Sequence, residues 1–73
     1  MSAPEDVPVT GLVRLGQLLK LAGAVESGGQ AREVLAAGEV LVNGEVDERR
    51  GRQLSDGDVV ELGGRSWRVL VEG

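Results

Sequence analysis

Three arginines lie within four positions of one another in the stretch Arg49-Arg50-Gly51-Arg52. Guanidinium groups present planar forks of N–H donors that match phosphate oxygens, and each neutralised phosphate releases counterions and adds to affinity. The alternative is a solvated loop whose arginines pair with the neighbouring Asp47 and Glu48. The local sequence predicts an exposed cationic loop and leaves both uses open.

A second candidate anion site is Ser27-Gly28-Gly29-Gln30, at the predicted start of a helix. Free N–H groups and the positive end of the helix dipole attract phosphate there, and two glycines let it approach the backbone closely. The same four residues also form a possible capping box, in which Ser27 accepts from the third helical N–H and Gln30 reaches back to the cap. Ser27 serves the cap in either case, so a plain cap and a phosphate site both stay open.

Hydrophobic spacing predicts that these candidate sites are held by two short helices followed by a sheet. The helical period covers residues 15–22 and 28–37, and Gly38 ends the second helix. The period then alternates over residues 40–42, and Asn43-Gly44 predicts a hairpin turn because both residues tolerate positive φ. Helix packing should bury six residues against each other or the sheet: Leu15, Leu18, Leu19, Leu21, Val34 and Leu35.

The remaining segments predict strands joined by turns. Residues 7–13 are apolar and β-branched but contain Pro8, which allows an edge strand at best. Ser55-Asp56-Gly57-Asp58 has turn composition, and residues 59–62 and 67–71 predict a second hairpin across the two glycines between them. The expected fold class is α+β, with two short helices packed on a small antiparallel sheet.

Domain organisation follows from the chain length of 73 residues, which accommodates one domain. Residues 1–6 are polar and contain Pro4, so they are expected to form a disordered N-terminal tail. Residues 7–73 are then expected to form the single domain.

Composition excludes several kinds of chemistry. The chain has no cysteine and no histidine, which excludes disulfides, zinc sites and nucleophile–histidine catalysis. No carboxylate pair is placed for catalysis, so we expect no enzyme, no cofactor and no metal. No apolar run approaches the roughly 20 residues of a membrane span, and no signal leader is seen, so a cytoplasmic location without a membrane partner is expected. Trp67 is the only aromatic residue and is expected in the core, which argues against base stacking on aromatic rings.

The net charge of −4 would argue against a nucleic-acid partner if it were evenly spread. Between Arg14 and Arg52, however, six basic and six acidic side chains balance, and the excess of carboxylates lies near the ends of the chain. Bulk acidity therefore hides a neutral middle with one local basic cluster. The excess of arginine over lysine suits phosphate binding or reflects the composition of the genome.

A helix, a hairpin and a downstream Gly-Asp turn follow one another in an order typical of one family. The residues that carry this pattern are Leu15, Leu18-Leu19, Ser27, Ala31-Arg32, Leu35, Gly38, Val40, Val42-Asn43-Gly44 and Gly57-Asp58-Val59. Over residues 14–62 the chain resembles the S4 RNA-binding domain, and more narrowly the small stand-alone bacterial S4-like proteins. It departs from the family at Gly16, where aspartate is common, and at Gly28, where arginine is common.

The resemblance implies an S4-like (αL motif) fold and non-catalytic binding of structured RNA, ribosomal or transfer RNA, through phosphate and shape contacts. A ribosome-associated bacterial monomer is expected. A protein-interaction adaptor that retains the S4 fold is the alternative. The residues expected to contact RNA are Arg14, Lys20, Ser27, Gly28, Gly29, Arg32, Asn43, Arg49, Arg50 and Arg52.

Overall fold

The computed structural model describes residues 3–72, so Met1 and Ser2 of the expected tail lie outside the described residues. Two helices and seven strands follow one another along these residues. In chain order they are β1 (Glu5–Thr10), β2 (Val13–Arg14), α1 (Leu15–Leu21), α2 (Gly28–Ala36), β3 (Leu41–Val42), β4 (Glu45–Val46), β5 (Gln53–Leu54), β6 (Val59–Leu62) and β7 (Arg65–Glu72).

Both helices begin where the sequence predicts and end one residue earlier. The Ser27 hydroxyl caps α2 by accepting from the Gln30 N–H at 3.1 Å. The Gln30 side chain closes the box by accepting from the N–H of Glu26 at 2.7 Å, one residue before the cap and not at the cap itself. The start of α1 is closed similarly, since the Gln17 side chain accepts from the Arg14 N–H at 2.9 Å.

The strands β1-β7-β6-β3-β4, in this order, form the main sheet, and β2 pairs with β5 in a separate two-stranded ribbon. Both predicted hairpins are present, with β3 against β4 and β6 against β7. The expectation of a wholly antiparallel sheet is wrong, because β1 runs parallel to β7 and the sheet is mixed. Hydrophobic alternation marks a strand without giving its direction, and no hairpin turn joins these two strands.

The expected tail also requires correction. Glu5 and Asp6 belong to β1, where they pair in register with Trp67 and Arg68 of β7. The Asp6 Oδ1 accepts a hydrogen bond from the Arg68 Nε at 2.9 Å and lies 2.7 Å from the Arg68 Nη2 in an ion pair. Polar residues are suited to this position because β1 lies at the edge of the sheet, which is also where its proline can be accommodated.

The core lies between the two helices and one face of the sheet. Its most completely buried side chains are Trp67, Leu15, Leu18, Leu19, Leu35, Val40, Val42, Val60 and Val69. Trp67 is a core residue, as predicted. The prediction that Leu21 is buried is wrong, because its side chain is 64% exposed. Leu21 is the last residue of α1 and lies outside the helical face formed by Leu18 and Leu19. No helix within residues 3–72 is long and apolar enough to cross a membrane.

Candidate nucleic-acid interface

The side chain of Asp47 is only 5% exposed and forms ion pairs with both Arg49 and Arg52. Its Oδ1 accepts from the backbone N–H of Arg49 at 2.9 Å and from the Arg49 Nε at 3.2 Å. Its Oδ2 accepts from Arg49 Nη2 at 3.0 Å and from Arg52 Nη1 at 2.7 Å. Two of the three clustered arginines therefore share one buried carboxylate, as the solvated-loop alternative anticipated for Asp47.

These contacts fix the charge of Asp47. The hydrogen bond from the Arg49 guanidinium, helped by that from Arg52, holds the pKa of the Asp47 carboxyl well below its usual range, although burial acts in the opposite direction. The same contact raises the pKa of Arg49. A carboxylate that stays ionised and accepts four hydrogen bonds gives residues 47–52 a defined shape.

The loop formed by residues 49–52 is docked onto the first turn of α1. The N–H of Leu15 donates to the carbonyl of Arg52 at 2.8 Å, and the N–H of Gly16 donates to the carbonyl of Arg50 at 3.0 Å. Arg50 passes directly over Gly16, where an added Cβ would lie 2.6 Å from the Arg50 Cγ. The side chain of Arg50 thus follows α1 and separates from those of Arg49 and Arg52.

A groove of about 390 Å³ lies where this loop meets the two helices, and we call it the basic groove. Its lining residues are Arg14, Gly16, Gln17, Lys20, Gly28, Ala31, Arg50 and Gly51. Three of them are cationic and none is acidic. Arg14 is oriented by a hydrogen bond from its Nη1 to the carbonyl of Gly51 at 2.9 Å.

The start of α2 forms part of the same groove. Gly28 lines it, and nothing lies within 4 Å of the position that a Cβ at Gly28 would take. The backbone N–H groups of Gly28 and Gly29 have no hydrogen-bond partner within residues 3–72. The cap on Ser27 and an accessible helix N-terminus therefore coexist, and the two alternatives raised by the sequence do not compete.

Not every predicted contact residue lines the groove. Arg32 is exposed on α2 but outside the lining, and Arg49 and Arg52 lie on the Asp47 side of the loop. Asn43 adopts the positive φ of 53° that the hairpin requires. Its amide donates to Asp58 at 3.1 Å and its carbonyl oxygen accepts from the N–H of Val59 at 3.0 Å, so its side chain ties two turns together.

Sequence reasoning missed some residues of the basic groove. Gln17 had a usable signal, because it lies three residues after Arg14 and three before Lys20 and therefore shares their helical face. Gly16 also carried a signal in the sequence, because it stands where the resemblance to the S4 domain leads us to expect an aspartate. Gly51 contributes a carbonyl group, which its residue type could not reveal.

The described geometry is that of an αL-motif domain, with two helices followed by a hairpin, and with a cationic groove between the helices and the 49–52 loop. The family model described as "S4 domain" matches residues 9–70. The chain belongs to the S4 domain family, as its sequence predicts.

Two curated relatives cover most of the chain. It is 56% identical over 55 residues to the "Probable ribosome maturation protein RlbA" of Bacillus subtilis. The matched residues are 75% of this chain and 78% of that protein. It is 41% identical over 59 residues to the "Putative RNA-binding protein YbcJ" of Escherichia coli, which is 81% of this chain and 84% of that protein.

The fold also matches a solved structure. The solution structure of YbcJ from E. coli superposes with a TM-score of 0.70 at 36% identity, covering 96% of this chain and 91% of that chain. That structure is described as revealing an αL motif involved in RNA binding. The match confirms the predicted S4-like α+β architecture.

Proposed function

We propose that this chain is a non-catalytic module that binds structured RNA through phosphate and shape contacts, with the basic groove as the centre of the interface. The observation that carries the proposal is that Arg14, Lys20 and Arg50 lie around one groove that no carboxylate of residues 3–72 lines, in a chain of net charge −4. The exposed N–H groups at the start of α2 add donors for a phosphate at the same place.

The acidity of the chain does not oppose this function. Charges separated by more than about 8–10 Å are largely screened at physiological ionic strength. The charged side chains that line the groove within residues 3–72 are its three cations, and Glu5 and Asp6 pair with arginines of β7. Of the clustered arginines, Arg50 lines the groove. Arg49 and Arg52 lie beside it, and their charge is partly neutralised by Asp47.

Recognition by shape follows from the lack of an aromatic platform. The single aromatic side chain, Trp67, is 1% exposed, so no ring is available for stacking. A groove between α1 and the start of α2 suits the phosphates of a folded RNA strand. The names of the two relatives, one a probable ribosome maturation protein and the other a putative RNA-binding protein, support RNA of the ribosome as the ligand and the cytoplasm as the location. Transfer RNA remains the second candidate ligand, implied by the resemblance to the S4 domain.

Filter binding to ribosomal RNA and to transfer RNA across a salt series tests the proposal. Arg14→Gln, Lys20→Gln and Arg50→Gln should each weaken binding to both RNAs. Each should also flatten the slope of log affinity against log salt by about 1, the contribution of one phosphate contact. Arg68→Gln is the matched control, because it removes one charge from β7 and does not line the groove.

The two remaining clustered arginines supply an internal comparison. Arg49→Gln and Arg52→Gln should alter the slope less than Arg50→Gln, because their charge is shared with Asp47. Slopes unchanged in all three groove variants would contradict the proposal and favour the protein-interaction adaptor. A substitution at Arg68 that matched them would show a response to net charge alone.

A further inference from the structure

A second hollow, of about 520 Å³, lies beside the basic groove, and we call it the apolar hollow. Eight residues line it, and they include Pro8, Leu12 and Leu21. Leu12 is 69% exposed and Leu21 is 64% exposed. A single exposed leucine is ordinary, but two that line one concave surface give this hollow an apolar wall.

The apolar hollow is continuous with the basic groove. Gln17 and Lys20 of α1 line both the hollow and the groove, so these two side chains form the boundary that the two surfaces share. Among residues 3–72, Lys20 is the only charged side chain that lines the hollow. An occupant that is apolar in its body and anionic at its flank therefore fits both surfaces together.

We propose that the apolar hollow receives one unstacked nucleobase of an RNA strand whose phosphates lie in the basic groove. This inference rests on the proposed function and deepens it, because it names RNA with an unpaired nucleotide as the preferred ligand. Bases that are splayed out of loops and bulges are the usual targets of specific RNA recognition.

The size and the polar groups of the hollow favour a base over a protein partner. A specific protein interface uses about 20–30 residues on each side, whereas eight line the hollow. The aliphatic side chains of Leu12 and Leu21 supply the apolar contact that aromatic rings supply elsewhere. The Gln17 Oε1 is engaged by the Arg14 N–H, which leaves the Gln17 amide as a donor at the boundary, where the edge of a base has acceptors.

The test uses three hairpin RNAs of one stem sequence, with a bulged adenosine, with an abasic bulge, or fully paired. The wild-type chain should bind the adenosine bulge about fivefold more tightly than the abasic bulge, at the lower end of what one stacked base contributes. Leu12→Ala/Leu21→Ala should bind these two hairpins alike, with an unchanged salt slope. Val46→Ala is the control, since Val46 is 56% exposed and lines neither surface, and it should keep the preference.

Folding of each variant is read from the fluorescence of the buried Trp67. Leu12→Ala alone keeps the test usable if the double variant unfolds, because Leu12 lies outside every helix and strand and should lose part of the preference while remaining folded. Equal wild-type binding of the adenosine and abasic bulges would overturn this inference and leave the proposed function intact. Absence of binding to every hairpin, with ribosomal RNA still bound, would overturn this inference alone, whereas absence of binding to ribosomal and transfer RNA as well would overturn both. Sedimentation in which the wild type is a dimer and the double variant a monomer would assign the hollow to a second copy of the chain. That result would contradict its occupation by a nucleobase.

Discussion

Arg50 occupies the space that a side chain at position 16 would fill. An added Cβ on Gly16 would lie 2.6 Å from the Arg50 Cγ and 3.4 Å from the Arg50 carbonyl oxygen, and the N–H of Gly16 donates to that carbonyl at 3.0 Å. The common family aspartate could not stand at this position with Arg50 where it is. Gly16 thus leaves open the space that the Arg50 side chain fills.

Gly16→Ala should displace Arg50 and weaken RNA binding. Overpacking at such a contact costs about 1–3 kcal/mol, and alanine returns up to about 1 kcal/mol through helix propensity. With the full gain, the free energy of unfolding should consequently fall by up to about 2 kcal/mol, and the salt slope of RNA binding should flatten by about 1. Urea unfolding and filter binding measure the two effects.

A double-mutant cycle isolates the contact. In the Arg50→Ala background the Cγ is absent, so Gly16→Ala should cost less stability and should leave RNA binding unchanged. Gly29→Ala serves as the glycine control for stability alone, because its Cβ would meet only the Ser27 Oγ, at 3.8 Å, among residues 3–72. Equal costs of Gly16→Ala in both backgrounds would show that Arg50 does not fill this space.

Asp47 should support RNA binding although it is an acid. Asp47→Asn raises the net charge by one unit from −4 and removes the ionic partner of Arg49 and Arg52. If charge alone governed affinity, binding would strengthen. We expect it to weaken, because the loop that presents Arg50 loses its anchor, and we expect the free energy of unfolding to fall by about 1–3 kcal/mol.

Glu48→Gln is the matched control for this variant, since it makes the same change of charge at the neighbouring exposed position. It should leave stability nearly unchanged and should not weaken RNA binding. Stronger binding by Asp47→Asn, of the same size as that by Glu48→Gln, would show that Asp47 does not position the loop. Both variants are compared by filter binding at one salt concentration.

The Asp47 contacts should also give the fold a characteristic acid dependence. The pKa of Asp47 is lowered in the folded chain from an ordinary value of 3.8, so its charge stabilises the folded state fully above that value. The stabilisation is lost as the pH falls below about 4 towards the lower folded pKa, because the unfolded chain takes up the proton first. The free-energy difference between wild type and Asp47→Asn should therefore be constant from pH 7 to pH 5 and should shrink below pH 4. Urea unfolding followed by Trp67 fluorescence measures it, and a difference that persists unchanged on acidification would contradict this assignment.

Local features of the fold could be predicted from the sequence because each depends on a few adjacent residues. The Ser27 cap, the turn at Asn43-Gly44 and the helical period follow from residue type and spacing alone. The direction of β1 could not be predicted, because parallel pairing with β7 joins residues that lie more than 60 positions apart. Polar Glu5 and Asp6 resembled a tail because an edge strand needs little apolar surface.

The basic groove was predicted only in part for a similar reason. The sequence shows that Arg49, Arg50 and Arg52 are close in the chain, but it does not show which of them forms an ion pair with a buried carboxylate. That separation depends on the burial of Asp47 and on the docking of the loop against α1. Arg14 and Lys20 were identified as candidates singly, and only the fold brings them to one groove with Arg50.

Gly28→Arg should strengthen RNA binding by restoring the common family residue inside the basic groove. Nothing lies within 4 Å of the position that a Cβ would take there, so the new side chain meets no steric obstacle at its base. A cation at a helix N-terminus costs about 0.3–1 kcal/mol, which the roughly 1 kcal/mol gained on replacing a helical glycine offsets. Stability should therefore stay nearly constant while the salt slope steepens by about 1. Ala36→Arg adds the same charge at the other end of α2, outside the groove, and should change the slope less. Equal effects of the two variants in filter binding would mean that RNA responds to the overall charge of α2, and that the groove is not where phosphate lies.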